Sequence, residues 1–194
     1  MDVPSMQLLL ASKSPRRRQL LASIDIPVTT VEIDVEEHLS SPVPAAEVAE
    51  RLALLKAQGY TQPLEEGQVL VAADTVVVHR DSVLGKPHSE QEAYAMLRAL
   101  SGDAHTVYTG VCLRSSRDQR LFTEATRVWF NPLNDDELRH YIDTYRPYDK
   151  AGAYGIQEWI GLIGISRIEG CYYNVMGLPV ARLYQELRQL QMEV

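Results

Sequence analysis

The most apolar strand pattern in the chain, Val69 to Val78 (VLVAADTVVV), predicts a strand buried centrally in a sheet. Side chains alternate along a strand, so Asp74 shares a face with Leu70, Ala72, Val76 and Val78. A carboxylate on such a face is costly unless a cation or a metal meets it. The strand could also stop at Ala73 and leave Asp74 and Thr75 to cap a turn. A shorter apolar run, Leu8 to Leu10, predicts the end of a second buried strand. It leads through a tight turn into a helix with Ser14 as N-cap, Pro15 as first residue, and Leu20 and Leu21 facing inward.

The pattern continues with a strand over Val28–Ile33 and an acidic run, Asp34, Glu36 and Glu37. A helix follows from Ala45 to Gln58, with Val48, Leu52 and Leu55 recurring at helical spacing, Lys56 at the edge of that face, and Gly59 as its stop. His79–Ser82 reads as a turn and Val83–Pro87 as a loop, which presents Lys86 between Gly85 and Pro87. Ser89 and Glu92 form a capping box for a helix carrying Ala93, Met96, Leu97 and Leu100. His105–Arg114 and Leu121–Phe130 predict an antiparallel hairpin. Asn134 and Glu137 cap a helix that holds Leu138, Tyr141 and Ile142. The glycine-bearing segment Arg146–Gln157 reads as a loop that lets backbone approach a ligand and is too poor in core residues to be packing. Ile160–Glu169 and Cys171–Val175 predict a strand pair around Gly170, and Pro179 opens a last helix with Leu183, Leu187 and Leu190 on one face. With no repeat, linker or low-complexity tract, residues 1–194 form a single α/β domain of two lobes around a cleft.

Composition narrows the class. The 194 residues suffice for a sizeable core, and 45% hydrophobic with 23% charged residues is ordinary for a globular enzyme. A formal charge of −7 disfavours non-specific binding to nucleic acid or to an anionic membrane. Cys112 and Cys171 stand far apart, which fits a reducing cytoplasm and argues against a zinc site or a disulfide scaffold. No apolar stretch is long enough for a membrane span, and the N-terminus lacks the basic and apolar regions of a signal peptide. The expected location is cytoplasmic.

Against that acidic background, Arg16, Arg17 and Arg18 place three cations on the positive end of a helix dipole. An anion held by backbone N–H groups and guanidiniums would offset the cost; the alternative is a solvated helix with a chance basic run. The chain has no GxxxxGKS/T phosphate loop, no GxGxxG turn and no GxSxG elbow. His88-Ser89-Glu90 lacks the PCxxC partner of a zinc deaminase, and the five histidines show no metal-ligand spacing. Arg16, Arg17, Lys56 and Lys86 as cations, with Glu37 and Asp74 as carboxylates, suit a polyphosphate and a hard divalent ion bridging its oxygens. One carboxylate could orient or deprotonate water. The residues alone give a metal-assisted hydrolase or transferase of a phosphorylated small molecule.

The motifs LASKSPRRRQLL, AADTVV, GKP, LRALSG, HTVYTGV and DKAGAYGIQ, in that order from residue 8 to about 180, resemble the Maf family of nucleoside triphosphate pyrophosphatases. The resemblance implies a two-lobed mixed sheet flanked by helices, akin to the inosine-triphosphate pyrophosphatases, with a nucleotide cleft between the lobes. It implies hydrolysis of a nucleoside triphosphate to the monophosphate and pyrophosphate with a divalent cation, Mg²⁺ or Mn²⁺, and suggests a homodimer. Asp74 falls on the family's proton-acceptor position, and Ser12, Arg16, Arg17, Glu37, Lys56 and Lys86 on its other polar site positions. Glu37 is favoured over the adjacent Glu36 as the second metal-facing carboxylate. DKAGAYGIQ is similar to the subgroup that prefers dTTP and UTP, in which Arg16, Thr75 and Gln157 occupy positions linked to substrate choice. Modified pyrimidine nucleotides are then expected targets of a housecleaning activity; the alternative is a nucleotide-binding regulator of cell division with little turnover.

Overall fold

A computed structural model of the chain describes residues 6–36, 38–39 and 42–192. Its sheet has seven strands in the order β2-β1-β3-β5-β6-β7, with β4 paired to β3. Strand β1 (Gln7–Ala11) lies parallel to both β2 (Val28–Thr30) and β3 (Gln68–His79), with Leu8 opposite Val28 and Val69. Parallel neighbours need crossover helices, and α1 (Pro15–Ala22) and α2 (Ala45–Gln58) supply them. β3 runs through Asp74 and Thr75 without interruption, so neither caps a turn. Past its end, Arg80 and Asp81 adopt positive φ (48° and 64°), the tight turn that returns the chain as β4 (Ser82–Leu84). Val83 and Leu84 are therefore strand, where the sequence suggested a loop.

The chain divides into two compact units. The first holds the chain up to Asp74, Thr109–Glu124, and the chain from Gly177 onward. Its core joins Leu9, Ala11, Leu70, Ala72 and Cys112 to an alanine face of α2, Ala53 and Ala57. The expected leucine stripe on α2 is displaced: Ala49, Ala53, Lys56 and Ala57 are buried, while Val48, Leu52 and Leu55 are only half-buried. The cause lies on β5 (Ala104–Arg114), where a Cβ built on Gly110 would sit 2.4 Å from the carbonyl of Ala49. Helix and strand backbones approach so closely that only small side chains fit. Gly59 ends α2 as expected but with φ −66°, so no left-handed cap demands it. A Cβ there would lie 2.4 Å from Val35 Cγ2, and packing is what requires the glycine. The last helix, α7 (Val180–Met192), buries Leu183, Leu187 and Leu190 as its spacing predicts.

The second unit holds Thr75–Tyr108 and Ala125–Met176. Ser89 caps α3 (Glu90–Leu100), and Asn134 with Glu137 forms a complete capping box on α4 (Asp135–Tyr145). Its core gathers Leu97, Leu100, Val107, Leu138, Tyr141 and Ile142, together with Val128 and Phe130 of β6 (Gln119–Phe130). The segment 146–157 does not stay outside this core, since Ala153, Tyr154 and Ile156 are all buried in it. The expected second strand pair is also replaced. Trp159–Gly164 forms a helix, α5, and β7 (Ile165–Glu169) pairs antiparallel with β6. Cys171–Val175 is not a strand, because α6 (Tyr172–Met176) turns Asn174 inward to donate to Val107 O (3.1 Å) and Thr126 Oγ1 (2.9 Å). A buried amide needs such partners, and that demand outweighs the extended preference of Tyr172, Tyr173 and Val175.

Candidate active site

In the first unit, the turn between β1 and α1 is built around two serines. Ser14 Oγ accepts the Arg17 N–H as the N-cap. Ser12 Oγ accepts the Ser14 N–H (3.2 Å) and an Arg17 guanidinium N–H (3.3 Å). One backbone donor of the turn, the Ser14 N–H, is thus satisfied within it. Arg17 is buried, and its Nε donates to Gly177 O at 2.8 Å, tying the start of α1 to the chain just before α7. Arg16 is half-buried and Arg18 exposed, and no acidic residue occupies this first turn.

The same unit carries the catalytic candidate. The alanine face of α2 brings Lys56 inward, and its ammonium meets Asp74 Oδ1 at 2.5 Å. Both side chains are nearly buried, 11% and 13% exposed, so this charge-assisted hydrogen bond is poorly screened. Asp74 therefore sits on an apolar face with a cation against it, the arrangement its strand position demanded. No hydrogen bond or ion pair among the described residues falls on Oδ2. Lys56 is held by the carboxylate rather than left to complement the C-terminus of its helix.

The remaining candidates belong to the second unit. Thr75 is half-buried at the next position of β3, and Lys86 is exposed beyond β4. Gly85, beside Lys86, accepts the Gly152 N–H at 3.0 Å. Gln157 is half-buried on a turn closed by the Glu158 N–H on Gly155 O (3.0 Å), and its Oε1 is buried without a hydrogen-bond partner. Three residues absent from the sequence-based site surround that turn. The Tyr141 hydroxyl donates to Glu158 Oε2 and accepts the Gly155 N–H, while the Lys150 ammonium lies 3.1 Å from Glu158 Oε1. Tyr141 reads from sequence as a core residue on a helix face, and only its hydroxyl distinguishes it. Lys150 stands inside DKAGAYGIQ, and that position is its only mark in the sequence; its burial is seen in the structure alone.

Glu37 lies outside the described residues. Among the described residues no group of three or more His, Cys, Asp or Glu gathers. Asp74 alone, with Oδ1 on Lys56, fits an ion of the magnesium type, which takes one or two carboxylates and completes its shell with phosphate oxygens and water. It does not fit an all-protein cage.

The family model described as Maf-like protein matches residues 7–190. The chain belongs to the Maf family. Relatives named "dTTP/UTP pyrophosphatase" match nearly end to end. The protein of Carboxydothermus hydrogenoformans is 50% identical, over 95% of this chain and 98% of its own. The Bacteroides thetaiotaomicron protein is 46% identical, over 95% and 96%, and the Parabacteroides distasonis protein 46%, over 94% and 95%. Among solved structures, "The structure of the Staphylococcus aureus Ham1 protein" aligns with TM-score 0.45 at 13% identity, over 64% of this chain and 71% of that one. In this Maf chain the SKSPRRR turn and the Asp74–Lys56 pair fall within the first unit. No helix among the described residues is long and apolar enough to cross a membrane.

Proposed function

We propose that this Maf protein hydrolyses dTTP and UTP to the nucleoside monophosphate and pyrophosphate. The observation that carries the chemistry is the nearly buried Asp74 carboxylate, fixed by Lys56 through one oxygen with the other left to meet water. Water attacks the α-phosphorus, the bond from that phosphorus to the α,β-bridging oxygen breaks, and pyrophosphate leaves with the electron pair. Asp74 takes the proton from the attacking water through Oδ2. Lys56 keeps Asp74 oriented and helps offset the negative charge that gathers as the phosphoryl oxygens rearrange. Arg16 and Arg17, at the N-terminus of α1, hold phosphate oxygens and stabilise the leaving pyrophosphate, with Ser12 fixing the Arg17 guanidinium. Lys86 and Thr75 supply further polar contacts to the nucleotide. Asp74, with Glu37, would hold a divalent cation, Mg²⁺ or Mn²⁺, which when bound neutralises charge between phosphate oxygens.

Gln157 reads the base. A glutamine amide offers a donor and an acceptor, matching the O4 acceptor and N3–H donor shared by uracil and thymine. Its buried, unpartnered Oε1 supports this role, since such an acceptor is costly unless a ligand donates to it. Cytosine inverts the pattern, so CTP is a poor substrate. The same edge persists in many modified pyrimidines, which makes removal of such nucleotides from the pool the cellular task.

The test is pyrophosphate release from a panel of nucleoside triphosphates with Mg²⁺ or Mn²⁺, for the wild type and Asp74→Asn. Release from dTTP and UTP but not CTP, abolished in the variant, is the expected result. Turnover unchanged in Asp74→Asn would remove Asp74 from the mechanism.

A further inference from the structure

We propose that Tyr141 is a positioning residue for base selection: its phenol pins both ends of the four-residue turn that carries Gln157. The inference rests on the reading of Gln157 as the base-facing amide. The turn runs from Gly155 to Glu158, closed by the Glu158 N–H on Gly155 O at 3.0 Å, with Gln157 third of four. At its start, the Gly155 N–H donates to the Tyr141 hydroxyl at 3.0 Å. At its end, the same hydroxyl donates to Glu158 Oε2. One oxygen atom thus accepts from the first residue of the turn and donates to the last.

The surroundings leave that oxygen little freedom. Tyr141 is fully buried and its ring stacks on Tyr145, with centroids 5.1 Å apart and planes at 23°. Burial, with the Glu158 carboxylate beside it, pushes the phenol pKa up, so it remains a neutral donor at any working pH. The other carboxylate oxygen takes the Lys150 ammonium at 3.1 Å, and Lys150 also meets Asp149 at 2.7 Å. Two glycines complete the seat. A Cβ on Gly161 would lie 1.8 Å from Ile156 O, so the first turn of α5 rests directly on the backbone of the Gln157 turn. A Cβ on Gly155 would lie 2.9 Å from Glu158 Cδ and 3.2 Å from Gln157 Nε2, so the carboxylate and the amide converge on one α-carbon. Reading a base edge demands hydrogen-bond geometry held to about half an ångström. A phenol locking both ends of the turn supplies that constraint, whereas a purely apolar residue at position 141 would fill the core and leave the turn loose.

The experiment measures kcat/KM for UTP and for CTP in the wild type, Gln157→Ala, Tyr141→Phe and the double variant, with circular dichroism and melting curves to confirm folding. Gln157→Ala is expected to lower the UTP:CTP ratio about 10- to 100-fold. Tyr141→Phe should lose most of the same factor, chiefly through KM for UTP. The double variant should discriminate no worse than Gln157→Ala alone, because the pin acts only through the amide. Glu158→Met, which keeps the side-chain length but offers no oxygen to the Tyr141 hydroxyl, should shift the ratio in the same direction and decides the matter if Tyr141→Phe does not fold. A folded Tyr141→Phe or Glu158→Met with the wild-type ratio, beside a collapsed ratio in Gln157→Ala, overturns the pin and leaves the base reading standing. Additive losses in the double variant overturn it as well. An unchanged ratio in Gln157→Ala overturns both.

Discussion

His105 makes the second unit acid-sensitive in a way that can be worked out from its surroundings. The ring is buried on β5, packs at 5.6 Å on Phe130 and edge-on at 5.4 Å to Tyr154, and shares a 2.7 Å hydrogen bond between Nε2 and the Tyr154 hydroxyl. Nδ1 is buried without a partner, so a second proton would bring in a charge with nothing to receive it. Burial, helped by the nearby His79, pushes the imidazole pKa from 6.5 down to about 3. The folded value is depressed, so between these values the unfolded chain binds a proton that the native chain refuses, and stability falls as pH drops below 6.5. The slope is about 1.4 kcal/mol per pH unit, or about 2.7 kcal/mol lost by pH 4.5. Urea unfolding of the wild type and His105→Gln from pH 7.5 to 4.5 isolates this contribution, because carboxylates common to both cancel. The wild type should lose about 2–3 kcal/mol more than the variant across that range. Parallel pH profiles would refute the reasoning, since a histidine protonated in the native state contributes no such slope.

Three further outcomes follow from packing and pairing. Gly110→Ala, whose Cβ would lie 2.4 Å from the Ala49 carbonyl and Glu50 Cα, forces α2 away from β5. Chemical denaturation should register a loss of about 1–3 kcal/mol or more, with activity reduced because Lys56 moves with the helix. Lys56→Met leaves the Asp74 carboxylate nearly buried without its ammonium, a cost of about 1–3 kcal/mol after allowing for residual exposure. The double variant Lys56→Met with Asp74→Asn should melt higher than Lys56→Met alone, though both are inactive; equal melting temperatures would mean that the pair is energetically idle. Asn174→Ala leaves Val107 O without its donor and removes a bond to Thr126 Oγ1, and should cost about 1–3 kcal/mol in equilibrium unfolding.

Local chemistry was legible in the sequence and distant packing was not. The caps at Ser14, Ser89 and Asn134 could be read because the oxygen and the N–H it satisfies lie within three residues. The inward face of α2 could not, because Gly110, far along the chain on β5, decides which side chains fit beneath it. Cys171–Val175 reads as strand from its aromatic and branched residues, yet the Asn174 amide fixes a helix through partners on two other strands. The segment 146–157 reads as a loop by its glycines and polar residues, while Tyr154 and Ile156 carry it into the core. Within the candidate site, Asp74 was legible because a carboxylate on an apolar strand face needs a cation. Lys56 is legible as a site cation, but that it is the one paired with Asp74 depends on the turned face of α2. The tie from Arg17 to Gly177 joins residues 160 positions apart, and no local pattern encodes it.

That tie bears on how the arginine run works. Cations in the first turn of a helix oppose its dipole, typically by about 0.3–1 kcal/mol each. Arg17 recovers this cost inside the protein, through Gly177 O and Ser12 Oγ, and its burial follows from those bonds. Lysine could not replace it, because an ammonium lacks the planar fork that reaches a carbonyl and a hydroxyl at once. Arg16 and Arg18 sit in the same unfavourable field with their side chains half-buried and exposed, in a first turn without a single acidic residue. Asp or Glu is favoured in such a field and occupies the first turns of α3 and α4, while α5 and α7 lack it as α1 does. What sets α1 apart is the run of three arginines in its first turn, a cost that an anion at the start of the helix would offset. On the proposed reading, the buried guanidinium, held by Gly177 O and Ser12 Oγ, would bring to that anion a charge already positioned before a nucleotide binds.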